Sequence, residues 1–182
     1  VTALLKNIDA NKFEAEFHLF PIALSNQHGI LPMYGALTGA SLVEGWAGQS
    51  NRYLVPTSKF DRTAKSLVDN KSCLVLIDVE GAELNCLKGA ETIINSSANN
   101  VFLIEITVEH NHPKGININP SLVETFNFMF SHGYMAFTAD KDFRKIEITE
   151  VANVAATEIN TFGTYNFLFS RHEIILDKVV FD

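Results

Sequence analysis

The chain has 182 residues, of which 47% are hydrophobic and 19% are charged, so one domain with a sizeable core is expected. Its net charge of −7 argues against a nucleic-acid binder that tracks phosphates and against a polybasic membrane-surface module, because both need a basic face. No apolar run reaches the ~20 residues that a membrane-spanning helix needs, and no secretory signal is recognisable, which favours a soluble cytoplasmic protein.

The first third of the chain predicts one helix and several short extended segments. Leu4, Leu5 and Ile8 recur on one side of a helix over 2–11, and residues 14–20 alternate as a strand does. Further extended segments are predicted over 30–34 and 53–56, and a short helix over 60–68. Residues 35–49 contain four glycines and predict a mobile loop, which is either a lid over a bound substrate or a flexible connection.

The middle of the chain has the clearest pattern: a strand, a helix and a second strand. Residues 72–78 form a nearly continuous apolar run, which is typical of a strand covered on both faces in a parallel sheet. A helix over 82–95 and a strand over 101–108 follow after short connections, so the two strands are expected to be parallel. Cys73 and Cys86 lie in apolar settings and are expected to be reduced, buried thiols.

The last third predicts a helix over 121–131 with apolar residues on one face, and strands over 134–138, 145–149 and 166–169. The closing segment over 174–182 is apolar enough to pack, but the sequence does not indicate where. Together the elements predict an α/β domain.

One string in the middle of the chain is distinctive. Residues 76–83 read Leu-Ile-Asp-Val-Glu-Gly-Ala-Glu, and residues 87–90 read Leu-Lys-Gly-Ala. This pattern resembles the FkbM family of S-adenosylmethionine-dependent methyltransferases, except that Leu76 stands where the family usually has lysine. Weaker family-like pieces occur in the same order at 4–11, 22–29, 55–61 and 101–106, so the resemblance spans about 4–171.

The resemblance implies a doubly wound, mostly parallel sheet of the Rossmann-like class I methyltransferase type. It also implies S-adenosyl-L-methionine as cofactor and O-methylation of a hydroxyl on a sugar or small metabolite. The Gly-rich turn after the family's first strand and the acidic residue after its second are not found in this sequence. We therefore expect a partial methyltransferase domain over 1–172, which lacks the first strand, helix and strand, and a C-terminal tail over 173–182.

Such a partial domain is expected to leave unpaired strand edges and uncovered apolar faces, because the first strand is central in folds of this type. Alone it should bind the cofactor weakly or not at all and be inactive. A non-catalytic binding module derived from the same fold is the main alternative, and the missing Gly-rich turn favours it. A dehydrogenase-like nucleotide-binding protein would need the same turn.

Three acids near the ends of the two predicted parallel strands are candidate catalytic residues, because ligands bind at this end of open α/β sheets. Asp78 either faces the cofactor's ammonium group or the acceptor hydroxyl, or it satisfies amides of the following turn or caps the following helix. Glu80 is a base, a substrate anchor or a solvated acid near a helix N-terminus. Glu83 lies in the first turn of that helix, where the helix dipole alone accounts for an acid. Glu105 lies inside an apolar strand, where a buried acid needs either a raised pKa or a partner. It is therefore either a functional-site residue or one member of a structural ion pair with Lys or Arg. The strand–helix–strand unit should bring Asp78 and Glu105 to neighbouring rims of one pocket.

Further candidates lie elsewhere in the chain. Ile22, Ala23 and Leu24 follow the strand that, by resemblance, borders the adenine, and together with Asp78 and Val79 they are expected to contact the cofactor; ordinary packing is the alternative for the first three.

Two histidines follow the second predicted parallel strand. His110 could act as a base at neutral pH. No metal is expected, because His110 and His112 beside Glu109 lack ligand spacing on a rigid element and fit an exposed loop pair better. A small-molecule or carbohydrate acceptor is expected, with no nucleic-acid or membrane partner. The oligomeric state stays open.

Overall fold

A computed structural model of the chain describes residues 2–12 and 15–173, which form a mixed α/β fold. The helices are α1 (Thr2–Asn11), α2 (Phe60–Thr63), α3 (Lys65–Val68), α4 (Glu83–Lys88), α5 (Glu91–Ile94), α6 (Leu122–Ser131) and α7 (Ile148–Thr157). The strands are β1 (Ala23–Leu24), β2 (Gly29–Tyr34), β3 (Arg52–Ser58), β4 (Leu74–Ile77), β5 (Val101–Glu105), β6 (Met135–Thr138), β7 (Lys145–Ile146) and β8 (Asn166–Ser170). Two short 3₁₀ helices, Leu37–Gly39 and Trp46–Gly48, lie in the loop between β2 and β3.

The described strands form two sheets. The smaller has the order β1-β3-β2, with β1 parallel and β2 antiparallel to β3. The larger has the order β4-β5-β8-β6-β7, in which β4 and β5 are parallel and the other pairs are antiparallel. The predicted parallel pair is therefore confirmed. The expected mostly parallel, doubly wound sheet is not confirmed, because β8 enters between β5 and β6 in the opposite direction and makes the sheet mixed.

One face of the larger sheet carries the hydrophobic core. Alternate residues of a strand point to the same face, and on this face Ile77, Phe102, Ile104, Phe167 and Phe169 are all buried. Apolar residues of α4, α5, α6 and α7 belong to the same buried cluster. This packing fixes β4 and β5 against the helices and thereby fixes the positions of their carboxyl ends.

The opposite face of β4 is exposed, and β4 lies at an edge of the sheet. Leu74 is 71% exposed and Leu76 is 68% exposed, so the prediction that this strand is covered on both faces is wrong for the described part of the chain. Among the described residues, β4 thus presents a sheet edge beside two exposed leucines.

Several predicted elements differ from the observed ones. Residues 15–20 form no strand, because alternating hydrophobicity by itself does not stabilise an extended segment. The helix predicted over 82–95 is interrupted at residues 89–90, which separates α4 from α5. The strand predicted over 145–149 ends at Ile146, and α7 follows it unpredicted, with Ile148, Val151 and Val154 on its core side. The segment over 174–182 lies outside the described residues.

The two thiols have different surroundings. Cys73 is half-buried and Cys86 is buried, and both are free. Burial raises the pKa of Cys86 to about 12. The expectation of a buried thiol is therefore correct for Cys86 and too strong for Cys73. Among the helices of the described residues, none is long and apolar enough to cross a bilayer.

Gly89 lies at the interruption between α4 and α5 and contacts a distant part of the chain. A Cβ atom at Gly89 would overlap the carbonyl oxygen of Ser25, which follows β1. The absence of a side chain therefore lets the segment after β1 pack against the end of α4, and this contact places β1 close to the turn that follows β4.

We predict that Gly89→Ala lowers the free energy of unfolding by about 1–3 kcal/mol, because the added methyl group forces the Ser25 carbonyl or the helix end to move. Gly39→Ala is the matched control, since a Cβ there meets nothing within 4 Å. The control should be neutral or stabilising by up to about 1 kcal/mol. Urea unfolding measures both variants, and equal stability of the two would contradict the packing described here.

Candidate active site at the ends of β4 and β5

The register of β4 and β5 brings two carboxylates together. Ile77 lies opposite Ile104, so Asp78 and Glu105 follow at the same level of two adjacent parallel strands, which are about 4.8 Å apart. The expected proximity of these two residues is therefore present. Both lie at the carboxyl ends of the strands, where α/β folds bind ligands.

Asp78 is exposed and makes no hydrogen bond with another described residue. The turn after β4 has its own carboxylate partner, since the Gly81 amide donates to Glu83 Oε1 at 2.8 Å. The structure therefore does not support the alternative in which Asp78 satisfies the amides of this turn. Its carboxylate is available to a ligand.

Glu105 is half-buried, and its surroundings favour the protonated form. Burial raises the pKa of Glu105, and the nearby charges of Asp78 and Glu80 raise it further. Within the described part of the chain, none of the ion pairs includes Glu105. The structural ion pair considered from the sequence is thus absent from this part of the chain.

Glu80 lies in a turn with unusual backbone geometry. Its φ is 52° and that of Gly81 is 89°, so a residue with a side chain occupies the left-handed region that favours glycine. Two side chains contact Glu80 here. The Trp46 indole Nε1–H donates to Glu80 Oε2 at 2.7 Å, and the Ser41 hydroxyl donates to the Glu80 carbonyl oxygen.

The glycine-rich loop over 35–49, predicted to be mobile, is held on the rest of the protein by Trp46, which is only 2% exposed. A Cβ at Gly81 would come within 2.5 Å of the Trp46 ring, so Gly81 allows the indole to lie directly on the turn. The Ala47 amide donates to the Asn111 carbonyl oxygen at 2.6 Å, and His112 meets the indole edge-on with 5.2 Å between the ring centroids. Glycine content indicated mobility but gave no information on this contact.

A cleft of about 350 Å³ lies between β1, the loop after β2 and the turn after β4. All five residues expected to contact the cofactor line it: Ile22, Ala23, Leu24, Asp78 and Val79. Its remaining lining is apolar and consists of Met33, Ala40, Leu42 and Ala82. Asp78 is therefore the acidic residue of an otherwise apolar wall, and it connects the cleft to the acids at the strand ends.

His110 lies apart from this cleft, on the segment that follows β5. It is exposed, with Nε2 at 3.8 Å from Glu109 Oε1, and its ring meets Tyr165 edge-on. His112 is not part of an exposed loop pair, because its Nε2 is 2.9 Å from the Val108 carbonyl oxygen and burial lowers its pKa. Within residues 2–12 and 15–173, no three His, Cys, Asp or Glu side chains are placed to hold a metal ion.

The surroundings of Glu83 differ from the expectation that the helix dipole alone accounts for this residue. The residue is 4% exposed, and its carboxyl group turns back to accept the Gly81 amide. Burial raises the pKa of Glu83 to about 7, and the charges of Glu80 and Asp78 add to this effect. The spacing of Glu83 two residues after Gly81 in a tight turn was the signal that could have indicated this contact.

The fold and site define a mixed α/β domain with an apolar cleft and acids at the ends of parallel strands. A family model described as the methyltransferase FkbM domain matches residues 10–136, more than two thirds of the chain. The chain therefore belongs to the FkbM methyltransferase family, as its resemblance over 4–171 indicated. Curated proteins and solved structures provide no match.

We predict that Glu83 makes stability fall as pH rises. Below its ordinary pKa of 4.5 the group is protonated in both states; between 4.5 and about 7 only the unfolded chain releases the proton. The resulting loss, on the order of 3 kcal/mol, is complete above about pH 7. Glu83→Gln removes this titration while an amide oxygen can still accept from Gly81. Denaturation from pH 4 to 8 should show the variant gaining stability relative to the parent; parallel curves would contradict the prediction.

Proposed function

We propose that the protein is an S-adenosylmethionine-dependent O-methyltransferase that acts on a hydroxyl group of a sugar or small metabolite. One observation carries the proposal: in a chain of the FkbM family, a single cleft gathers Ile22, Ala23, Leu24, Asp78 and Val79, and it ends where Asp78 adjoins Glu105. The apolar pocket and the acids thus adjoin each other at the strand ends, as transfer between two bound molecules requires.

The lining of the cleft fits the proposed cofactor. Its size lies in the range of small-molecule sites, and flat apolar surfaces suit a purine ring. Ile22, Ala23, Leu24 and Val79 would hold the adenine, and the exposed Asp78 carboxylate would attract the cofactor's positive charges. S-adenosylmethionine supplies a methyl group on a positively charged sulfur.

The acids supply the remaining chemistry, which is to bind the acceptor and remove its hydroxyl proton. Glu105 is the proposed base, because a raised pKa makes a carboxylate a stronger proton acceptor near neutral pH. The proton moves from the acceptor oxygen to a carboxylate oxygen of Glu105. Asp78 and Glu80 bind the acceptor beside it. His110 remains a second candidate base, although none of its described contacts reaches these three acids.

Other features support a location in the cytoplasm and a small-molecule partner. Two free cysteines are typical of a reducing compartment. The net charge of −7 does not suit nucleic acid or an anionic membrane as partner. A non-catalytic module of the same fold is not favoured, because it gives no reason for two unpaired carboxylates at the strand ends.

We predict that Glu105→Gln and Asp78→Asn in the full-length protein each lower methyl transfer by about 10²-fold or more, since each removes a group that contacts the reactants. Transfer of a labelled methyl group from S-adenosylmethionine to a panel of neutral methyl hexopyranosides measures the effect. Glu147→Gln is the control, because this glutamate lies beside β7 at the opposite edge of the sheet, paired with Lys145.

Calorimetry with S-adenosylhomocysteine tests the cofactor independently of the acceptor. The full-length protein should bind it, and Asp78→Asn should bind it more weakly than Glu105→Gln does. If the full-length parent does not bind S-adenosylhomocysteine, this result would count against the proposed function. Full activity of both variants would overturn the site assignment.

A further inference from the structure

Trp46 and Glu80 connect the loop over 35–49 to the acidic turn after β4. We propose that Trp46 is a positioning residue, which fixes the Glu80 carboxylate through the indole N–H so that Glu80 can bind a hydroxyl group of an uncharged acceptor. The inference rests on the proposed function and assigns Glu80 the task of anchoring the acceptor.

Glu80 needs external contacts to keep its orientation. A non-glycine residue with φ of 52° is in a sparsely populated backbone region, and this conformation persists only where surrounding contacts enforce it. Here the Ser41 hydroxyl holds the Glu80 carbonyl oxygen and the Trp46 indole holds Oε2. Backbone and side chain of Glu80 are thus fixed by the same loop.

Trp46 is itself immobile enough to serve this purpose. Its ring lies on Gly81, where even one methyl group would not fit, and its edge meets the ring of His112. The Trp46 side chain is only 2% exposed, so water hardly competes for its hydrogen bond to the Glu80 carboxylate. The indole N–H can donate one hydrogen bond and accept none, and it donates this bond to Glu80.

The hydrogen bond leaves one carboxylate oxygen of Glu80 available. Oε2 accepts the indole proton, whereas Oε1 has no hydrogen-bond partner in the described residues. An ionised carboxylate is an acceptor only, so Oε1 can bind a hydroxyl or another donor group. The charges of Asp78 and Glu80 lie near enough to Glu105 to raise its pKa. The same charges would repel a phosphorylated or carboxylated acceptor.

The chain contains one tryptophan, so the indole N–H gives a single resonance in a ¹H–¹⁵N spectrum. In the parent this proton should exchange slowly with solvent. Glu80→Gln should shift the resonance, and Glu80→Ala should speed its exchange at least about 10-fold, as expected for loss of a charge-assisted hydrogen bond. Glu147→Gln should leave the resonance unchanged. Equal exchange in the parent and Glu80→Ala would overturn the proposal, and this measurement requires no change at Trp46.

Turnover separates positioning from a general structural role. Trp46→Phe keeps an aromatic ring on Gly81 but removes the donor, and it should raise KM for the methyl hexopyranoside about 10-fold while KM for S-adenosylmethionine stays within about twofold. In a Glu80→Ala background, which has no side-chain acceptor for the indole, Trp46→Phe should have no further effect. Multiplied effects of the two substitutions, or an equal rise of both KM values, would contradict the proposal.

Tyr134→Phe controls for the loss of a buried aromatic donor elsewhere, since the Tyr134 hydroxyl donates to the Ile94 carbonyl oxygen in the core. It should leave both KM values unchanged. If the full-length parent neither binds S-adenosylhomocysteine nor methylates the glycosides, the proposed function fails. The exchange measurement then still decides whether Trp46 fixes Glu80.

Discussion

The in-register parallel pairing of β4 and β5 is the constraint on which the candidate site depends. Ile77 and Ile104 are buried opposite each other; β4 ends at Ile77, and β5 ends one residue after Ile104, at Glu105. Asp78 and Glu105 consequently emerge side by side at one end of the sheet. A shift of the register by one residue would turn the buried isoleucines outward and place an acid in the core, so packing of the apolar face enforces the position of the acids.

The same constraint concentrates negative charge. Burial raises the pKa values of Glu83 and Glu105, and the nearby charges of Asp78 and Glu80 raise both further. Such an arrangement opposes folding when all four groups are ionised, and the core beneath the strands has to offset it. A cofactor with a positively charged sulfur and ammonium group, as we propose, would relieve this repulsion when bound. Stability and the proposed binding are therefore linked through the same carboxylates.

The parts of this description that follow from local patterns could be predicted, and the parts that depend on distant contacts could not. The continuous apolar runs of β4 and β5 indicated their parallel pairing, and the rule that ligands bind at strand ends then indicated Asp78 and Glu105. The docking of Trp46 on Gly81 depends on residues 35 positions apart, and the loop's glycines gave no sign of it. The close packing of Gly89 against Ser25 likewise depends on a distant contact, whereas the contact between Glu83 and the Gly81 amide is local and its spacing could have indicated it.

The unequal environments of the two cysteines have a practical consequence for measurements on this molecule. A thiol whose pKa is about 12, enclosed by the core, forms almost no thiolate and should not react with maleimides in the folded protein. Cys73 is partly accessible and precedes β4, at the end of the strand remote from Asp78. A fluorophore attached there would sit away from the cleft, so the natural sequence already provides one selective labelling position for following ligand binding by energy transfer.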